Sequence, residues 1–279
     1  IQASDLNLDI SAATKVYDGT TAVKKAGGKA EDYITSLTMN LGGTIGQKTY
    51  TKNSDYSLDS AVYANPNVSA NTAGTGSGTY TISLKKSDGT ESGLLKNYDL
   101  TNLPAGYTFN STNGTLSRTV TNGTITKRPV YALANGNVSK IYNGKTDVLG
   151  ASNNVLTGKD LVTFGDKLEN GTVIEDAGLI EADKERNATK AAYRDKTAGT
   201  GNMIVDYKLS IDPDAAISDN YALYDGRTGT AVPPASGNYV ISTTTNTIEK
   251  RALKLTAAAN VTKAFDNTDV VKVGGVAST

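Results

Sequence analysis

The side chains that could do chemistry in this sequence are carboxylates, lysines and tyrosines, because histidine and cysteine are both absent. Nucleophilic sites of the Ser-His-Asp or Cys-His kind are therefore excluded, and so are thiolate and imidazole metal centres. Carboxylate pairs could still serve glycoside hydrolysis, and the local candidates are Asp55 with Asp59 and Asp212 with Asp214. Neither pair recurs in the other copy of the repeat found below, so we interpret all four as solvated loop charges. We predict no catalytic, cofactor-binding or metal residues and no enzyme activity.

Two loops and a pair of lysines suggest other chemistry. Asp212–Asp214 together with Asp219 could offer oxygen ligands to calcium, although the spacing of an EF-hand or a nonapeptide repeat is missing. The glycine-rich stretch Gly74–Gly78 precedes a strand pattern, whereas a phosphate-binding loop precedes a helix, so we interpret it as a turn. Lys15 and Lys140 occupy the same place in two copies of a repeat. They are our candidates for an internal Lys–Asn isopeptide crosslink, whose partner the sequence does not identify.

The overall charge excludes two classes of partner. The chain carries 28 basic and 28 acidic residues, with no basic stripe, so neither nucleic acid nor an anionic membrane is an expected partner. No apolar run reaches the roughly 20 residues that a membrane-spanning helix needs, so we expect no membrane insertion of this segment. The absence of cysteine fits a cytosolic protein and a bacterial surface protein equally well. The first residue is Ile1, and we expect the chain to be part of something longer.

An internal repeat organises the chain. The motif Lys15-Val16-Tyr17-Asp18-Gly19-Thr20-Thr21 returns 125 residues later as Lys140-Ile141-Tyr142-Asn143-Gly144-Lys145-Thr146. It returns a further 123 residues on as Lys263-Ala264-Phe265-Asp266-Asn267-Thr268-Asp269. An Asp-Gly or Asn-Gly pair suits a tight hairpin in which both turn residues have positive φ, and Asn267 also tolerates that conformation. Each copy therefore predicts a strand that ends in a tight turn.

Three more anchors keep the same order and spacing. They are Thr72–Gly76 with Thr197–Gly201, Asn97-Tyr98-Asp99-Leu100 with Asn220-Tyr221-Ala222-Leu223, and Ile125–Arg128 with Ile248–Arg251. We therefore predict module one at residues 1–127, module two at 128–250, and the truncated start of module three at 251–279. The tyrosines at these anchors, namely Tyr17, Tyr98, Tyr142 and Tyr221, are expected to pack in the core.

The hydrophobic pattern within each module alternates with period two. Tyr80, Ile82 and Leu84 alternate with polar residues in module one, and Met203 to Ile211 do so over a longer run in module two. Such alternation is typical of strands with one buried face. Leu253, Leu255 and Ala257 predict a further strand at the head of module three. The fold class we predict is all-β, with tandem antiparallel sandwich-like modules in an elongated array.

The junctions between modules are short. Ile125–Val130 passes from the last strand of module one to the first strand of module two without a Gly/Ser tract. Short junctions restrict relative motion, so a fairly stiff rod is expected. Module two also carries a charged stretch, Glu181–Arg186, which we interpret as a solvated loop rather than a short helix.

These motifs resemble the YDG domain of large bacterial exoproteins, including filamentous-haemagglutinin-like and other adhesin-like surface proteins. The resemblance rests on the Lys-Val-Tyr-Asp-Gly-Thr-Thr opening at Lys15–Thr21, the segment Tyr193–Gly201, the Asn-Tyr-x-Leu element and the closing strand at Ile125. Module one departs from the family at Ala64–Asn71, an additional Asn/Pro-rich loop. The resemblance covers the whole chain. It implies tandem placement in a secreted or surface-anchored protein and implies no catalytic residues.

Two functions follow as expectations. The first is a structural repeat region, a stalk or spacer of a bacterial cell-surface or secreted adhesin that projects a distal binding region, with neighbouring modules of the same chain as partners. The alternative is that the modules themselves bind host glycan or protein through repeat-specific loops, for which Ala64–Asn71 and Glu181–Arg186 are the candidates. The piece Arg251–Thr279 cannot bury a core alone, so we expect it either to pack on module two or to be poorly ordered.

Overall fold

The fold was obtained as a computed structural model. It describes residues 4–40, 46–68, 76–84, 90, 95, 100–134, 136–150, 153–156, 158–186, 188–210, 219–233, 239–256, 263–265, 267–268, 270, 272–273 and 276–277. Asp212 and Asp214, the anchor tyrosine Tyr98, and Asn71 with part of its loop lie outside the described residues.

Strands account for nearly all of the regular structure, because short β-branched and tyrosine-rich runs are separated by residues that favour turns. In chain order they are β1 (Ser4–Ile10), β2 (Thr14–Val16), β3 (Ile34–Asn40), β4 (Gln47–Tyr50), β5 (Tyr56–Tyr63), β6 (Gly76–Leu84), β7 (Tyr107–Asn110), β8 (Thr115–Thr126), β9 (Arg128–Ala134), β10 (Ser139–Ile141), β11 (Val162–Gly165), β12 (Ala188–Tyr193), β13 (Gly199–Ser210), β14 (Tyr221–Asp225), β15 (Tyr239–Glu249), β16 (Lys272–Val273) and β17 (Val276–Ala277). The predicted all-β class is confirmed.

Each of the first two modules contains two sheets. In module one a sheet of order β1-β3-β4 accompanies a sheet of order β2-β8-β6-β5, with β7 paired to β8. Module two repeats the second sheet as β10-β15-β13-β12, and its other sheet, β11-β9-β14, is also three-stranded but has its first strand, β9, at the centre. Only Lys127 separates β8 from β9, so one module passes into the next with a single intervening residue.

The two sheets of module one share a core. Leu8 and Leu37 from the first sheet and Ile82 and Leu116 from the second are all fully buried in one hydrophobic cluster. Polar bonds also join the sheets. The backbone N–H of Leu8 donates to the Tyr107 hydroxyl at 2.8 Å. This arrangement agrees with the sandwich-like packing that the alternating pattern predicts.

The alternation predicted for the central strands is confirmed. In β6, Tyr80, Ile82 and Leu84 are buried and Thr79 and Thr81 are half-buried, whereas the polar Ser83 departs from the pattern because it is also buried. In β13, Val205, Tyr207 and Leu209 are buried, whereas Lys208 between them is exposed. A period of two places every second side chain on the core face, which is why the pattern identified these strands from the sequence.

Strand direction differs from the prediction in three places. Most pairs are antiparallel, but β2 runs parallel to β8, β10 to β15, and β14 to β9. A hairpin forces its two strands to be antiparallel, whereas strands far apart in sequence can pair in either direction. The two strands of each parallel pair are roughly a hundred residues apart in sequence, so no tight turn constrains their direction.

The repeated turn is not a hairpin with two positive φ angles, and that prediction was wrong. In the first two copies positive φ occurs at the second turn residue and not at the first, with +73° at Gly19 and +76° at Gly144. In the third copy Asn267 has a φ of +58°, and Asp266 lies outside the described residues. After the turn the chain does not return along β2. It forms a bridge to β5 instead, through Ala22 and Val62, and module two repeats this bridge with Asp147 and Ala192.

Helical structure among the described residues is limited to short segments. Ala30–Tyr33 and Glu181–Arg186 are 3-10 helices, and α1 spans Gly158–Leu161. Glu181–Arg186 was predicted as a solvated loop, and this was wrong because Asp183 within it is buried. No described helix is long and apolar enough to cross a membrane.

The predicted strand at the head of module three does not form over residues 251–256, and Ala257 lies outside the described residues. Leu253, Leu255 and Phe265 are 90% or more exposed, so the described apolar side chains of this piece do not pack on module two as one alternative expected. The equivalent strand β9 is held by β11 and β14 on its two sides. A lone strand without such neighbours has nothing to cover its apolar face.

A tyrosine hydroxyl bonds to the same two segments in both modules, namely the residue before β2 or β10 and the strand β8 or β15 of the same sheet. The Tyr63 hydroxyl lies 2.9 Å from the carbonyl of Ala13 and 3.2 Å from that of Thr124. The Tyr193 hydroxyl lies 3.1 Å from the carbonyl of Val138 and 3.0 Å from that of Thr247. Burial raises the pKa of both phenols to about 12, so each stays a neutral donor over the physiological range.

We expect Tyr63→Phe to lower the free energy of unfolding by about 1 kcal/mol, because it removes a buried hydrogen bond. Tyr80→Phe is the matched control. The Tyr80 hydroxyl is also buried but has no hydrogen-bond partner among the described residues, so its removal should leave stability equal or slightly higher. Calorimetric melting temperatures of the two variants check this. Equal losses for both would show that the hydroxyl of Tyr63 is not a structural tie.

Candidate functional site at the module junction

A buried lysine shapes the repeated turn. The side chain of Lys15 is 3% exposed, and its Nζ donates to Asp18 Oδ1 at 2.7 Å and to the carbonyl of Thr20 at 2.6 Å. The ammonium also lies 5.6 Å from the ring centre of Tyr63, within range of a cation–π interaction. One cation therefore contacts both ends of the turn and the tyrosine that bonds to the start of β2 and to β8.

Module two builds the same arrangement with different acceptors. Lys140 is 1% exposed on its side chain, and its Nζ donates to the carbonyls of Lys145 at 2.7 Å and Asp147 at 2.8 Å. The ring centre of Tyr193 lies 5.0 Å away. In the third copy, Lys263 donates to the carbonyl of Thr268, again five residues ahead, although this lysine is exposed. The bond from Nζ to the i+5 carbonyl thus occurs in all three copies.

The electrostatics of the turn in module one follow from this contact. Burial alone would raise the pKa of Asp18, but hydrogen bonds from Lys15, Lys24 and Thr20 outweigh it and hold the pKa of this carboxyl well below its usual range. Burial lowers the pKa of Lys15, and the Asp18 carboxylate opposes that shift. Asp18 and Lys15 therefore form a buried ion pair whose geometry fixes the turn.

The structure identifies a neighbour for the isopeptide hypothesis, namely Asn143, whose Oδ1 lies 3.1 Å from Lys140 Nζ. Asn143 is only three residues from Lys140, so a crosslink between them would brace the turn and not the strands. In module one the equivalent neighbour is Asp18. The hydrogen bonds already made by both lysines describe charged ammonium groups that organise a turn.

The turn presents Tyr17 to module two. The ring of Tyr17 meets that of Tyr221 edge to face, with centroids 5.4 Å apart and planes at 81°. Both side chains are buried, so the predicted core position is confirmed for these two anchor tyrosines. Each, however, buries its ring against the other module, which the sequence did not indicate. Edge-to-face pairs contribute about 0.5–1.5 kcal/mol beyond the burial of their area.

Gly19 in the same turn approaches module two closely. A Cβ atom placed on Gly19 would lie 2.5 Å from Cδ1 of Ile180, which is closer than real atoms approach. Gly19 also has a φ of +73°, a conformation that residues with a side chain rarely adopt. Glycine is therefore required here both by the turn and by the neighbouring module.

Arg128, the first residue of β9, connects the two modules. Its Nη1 donates to the carbonyl of Tyr17 at 3.3 Å, while its Nε and Nη2 donate at 2.8 Å to the carbonyls of Gly178 and Ala177. A guanidinium presents its donors in a rigid planar fork, which suits three acceptors held in fixed positions. This residue therefore locks the turn of module one to the loop before the 3-10 helix of module two.

Asn220 brings the extra loop of module one into the junction. Its side chain is fully buried, accepts a bond from the backbone N–H of Val68 at 2.7 Å and donates to Asn67 Oδ1 at 2.9 Å. The described part of Ala64–Asn71 thus lies against module two. This loop was one of the two candidates for contacting a ligand.

The second candidate, Glu181–Arg186, also lies at the junction. The Tyr221 hydroxyl donates to Oδ2 of the buried Asp183, and the backbone N–H of Ile180 donates to the same hydroxyl at 3.3 Å. Burial raises the pKa of Tyr221, and Asp183 raises it further. Asp183 therefore braces the tyrosine that receives Tyr17.

The other candidate residues are not brought together. Oδ2 of Asp55 accepts from the backbone N–H of Thr51 at 2.7 Å, whereas Oδ2 of Asp59 accepts from Ser83 Oγ at 2.9 Å, so each has a separate structural contact. No group of three or more acidic residues placed to hold a metal occurs in the described part of the chain. Gly76 and Gly78 of the glycine-rich stretch belong to β6, which supports the reading that no helix follows that stretch.

Comparisons with known proteins identified no relative. A scan against models of protein families found no match, and searches of curated proteins and of solved structures found none either. The resemblance to YDG domains therefore stays a prediction that rests on the sequence motifs.

The structure adds the functional residues Arg128, Asn220, Ile180 and Asp183, which sequence reasoning did not single out as contacts between modules. The sequence could have identified two of them, because Arg128 and Asn220 belong to anchors that recur at the module spacing. A residue that joins neighbouring modules must recur just as a core residue does. Asp183 and Ile180 belong to a stretch without a counterpart in module one, so repetition could not reveal them.

We expect Lys140→Met to lower the free energy of unfolding by about 2–4 kcal/mol, because it leaves two loop carbonyls and the Asp147 carboxylate without their buried cation. Lys263→Met is the matched control, since the equivalent lysine is exposed and should change stability by less than about 0.5 kcal/mol. Urea unfolding followed by circular dichroism measures both. If the two substitutions cost the same, the buried ammonium does not organise the turn.

Proposed function

We propose that this chain is a structural repeat region, a stalk or spacer of a bacterial cell-surface or secreted adhesin that projects a distal binding region. The observation that carries the proposal is the junction between the modules. Tyr17 packs on Tyr221, and Arg128 donates to carbonyls on both sides of that contact. A spacer must transmit its orientation from one module to the next, and buried contacts of this kind do so.

The short connection supports the same function. One residue, Lys127, separates β8 from β9, and the backbone N–H of Arg128 is bonded to the carbonyl of Asn220 at 2.9 Å. A flexible linker would need several residues that bond only to water. Here the first residue after the connection is already part of a strand, so bending at the junction would break hydrogen bonds.

The arrangement is directional and repeatable. Module one offers the turn at Tyr17 and Gly19 to Ile180 and Tyr221 of module two, and it offers its loop at Val68 to Asn220. The surface that module one contributes to the junction differs from the surface that module two contributes. A head-to-tail contact between two different surfaces extends an array along one direction. The residue types agree with this use, since the sequence lacks both histidine and cysteine. The resemblance to YDG domains supports a place outside the bacterial cell.

The alternative function is that the modules bind host glycan or protein through repeat-specific loops. Both candidate loops contribute to the junction, through Asn67 and Val68 in one and Asp183 in the other. Side chains that are engaged between modules are not available to a ligand. This favours the spacer over the alternative.

Small-angle scattering of the 279-residue chain tests the proposal. A compact protein of this length has a radius of gyration of about 19 Å, whereas two compact modules of about 125 residues placed end to end give about 23 Å. We expect the larger value and a pair-distance distribution with an extended tail. A single symmetrical peak at the compact value would contradict the spacer function.

A glycan array and a cell-binding assay on the same chain address the alternative. The spacer function predicts no signal above background in either assay. Saturable binding that is lost when Asn67 and Glu181 are replaced by alanine would instead support recognition through the two loops.

A further inference from the structure

One face of module two corresponds to the junction surface of module one but is left largely exposed by the described residues of the third copy. Its tyrosine, Tyr142, is 39% exposed, whereas the equivalent Tyr17 is 5% exposed. Ile141 beside it is 54% exposed. The prediction that every anchor tyrosine packs in the core was therefore wrong for Tyr142. The same motif is buried where module two covers it and exposed where the described residues of the third copy leave it uncovered.

This face already has the conformation of the occupied one. Gly144 has a φ of +76° against +73° at Gly19, and the tyrosine hydroxyl lies 4.0 Å from a Cβ position on Gly144 against 3.9 Å on Gly19. The backbone N–H of Tyr142 donates to the carbonyl of Glu249 at 2.8 Å, as that of Tyr17 donates to Thr126 at 2.9 Å. The surface is thus preorganised, which lowers the entropic cost of binding.

A hollow of mixed polarity adjoins Tyr142. It has a volume of about 590 Å³, and its lining is mixed: Ile141, Leu149 and Val155 are apolar, whereas Asn143, Lys145, Asp147, Asn153 and Arg251 are polar or charged. Val155 is 62% exposed, so apolar surface remains open to water here. The corresponding hollow beside Lys15 in module one is bordered by Asp176, a residue of module two. In the observed junction the following module therefore reaches the edge of this hollow.

Arg251 supplies the remaining part of the contact. It follows Lys250 as Arg128 follows Lys127, at the end of the same Ile-x-Lys-Arg anchor. Arg128 is half-buried and bonded to the loop of the module that it begins, whereas Arg251 is exposed. The guanidinium donor of Arg251 is therefore present. The carbonyl acceptors that would correspond to those of Ala177 and Gly178 belong to a third module.

We propose that the surface formed by Ile141, Tyr142, Gly144 and Arg251 is the docking site for a complete following copy of the same module. The occupant presents its counterparts of Ile180, Asn220 and Tyr221, the residues that receive Tyr17 in the observed junction. The occupant is identified by continuity with that junction. This inference rests on the proposed function and deepens it, because it uses the same head-to-tail contact and names the partner that binds the exposed face of module two.

Completing the third repeat tests this docking site. In the extended protein, Arg251–Thr279 is replaced by a second copy of residues 128–250, which keeps the arginine at the new junction. Tetranitromethane modifies exposed tyrosines, and peptide mass spectrometry measures the rate at each one. We expect nitration of Tyr142 to slow by about tenfold relative to the 279-residue chain, which corresponds to about 1.4 kcal/mol for opening the contact. Tyr17 should stay protected and Tyr107 unchanged in both proteins.

A matched pair of substitutions separates docking from a general effect of the extension. Ile180→Asp in the added copy should restore the nitration rate of Tyr142 and leave that of Tyr17 unchanged. The same substitution in the original module two should instead expose Tyr17 and leave Tyr142 protected. If both substitutions affect both tyrosines alike, the contact is not specific and the inference fails.

A second extension, in which residues 4–127 follow Arg251, presents the other module to the same face. If Tyr142 is nitrated equally fast in the 279-residue chain and in both extended proteins, no following module docks there and the inference is overturned. That outcome differs from failure of the proposed function. Scattering from the 279-residue chain tests the elongated shape independently. If scattering shows a rod but Tyr142 stays exposed to nitration in the extended proteins, only the docking site is rejected.

Discussion

The contact of Tyr17 with Tyr221 depends on a buried charge two residues away. Lys15 is enclosed by its own turn, where Asp18 and the carbonyl of Thr20 accept from its ammonium. That constraint fixes the turn, and the turn places Tyr17 and Gly19 against module two. The same lysine lies over Tyr63, whose hydroxyl bonds to the residue before β2 and to β8 within one sheet. Core, turn and junction of module one are therefore connected through one cation, and Lys140 repeats the buried contact in module two.

Much of the fold could be predicted from the sequence, because strand burial has a period of two. The strands at Tyr80 and at Tyr207 lie where the alternation indicated. Strand direction could not be predicted, since β2 and β8 are far apart in sequence and no turn joins them. The strand at Leu253 was predicted from a valid local pattern. It is absent over the described residues because a strand also needs neighbours, which local sequence does not supply.

The candidate site was predictable only in part. Repetition identified Tyr17, Tyr221 and Arg128 as important, but it did not distinguish a residue buried in its own module from one buried in the next. Asp183 illustrates the limit. It belongs to a charged stretch that indicates a solvated loop, yet its carboxylate is buried against Tyr221. Burial of a charge depends on a partner from elsewhere in the chain, and no pattern within the stretch reveals it.

Spin-label distances across the junction test the central claim, that buried contacts hold the two modules in one orientation. The chain has no cysteine, so labels can be attached at Thr49→Cys in β4 and Thr163→Cys in β11, two exposed positions in different modules. Pulsed electron paramagnetic resonance should give one narrow distance distribution that broadens with Tyr17→Ala and stays narrow with Tyr142→Ala. A broad distribution in the unsubstituted protein would contradict the account.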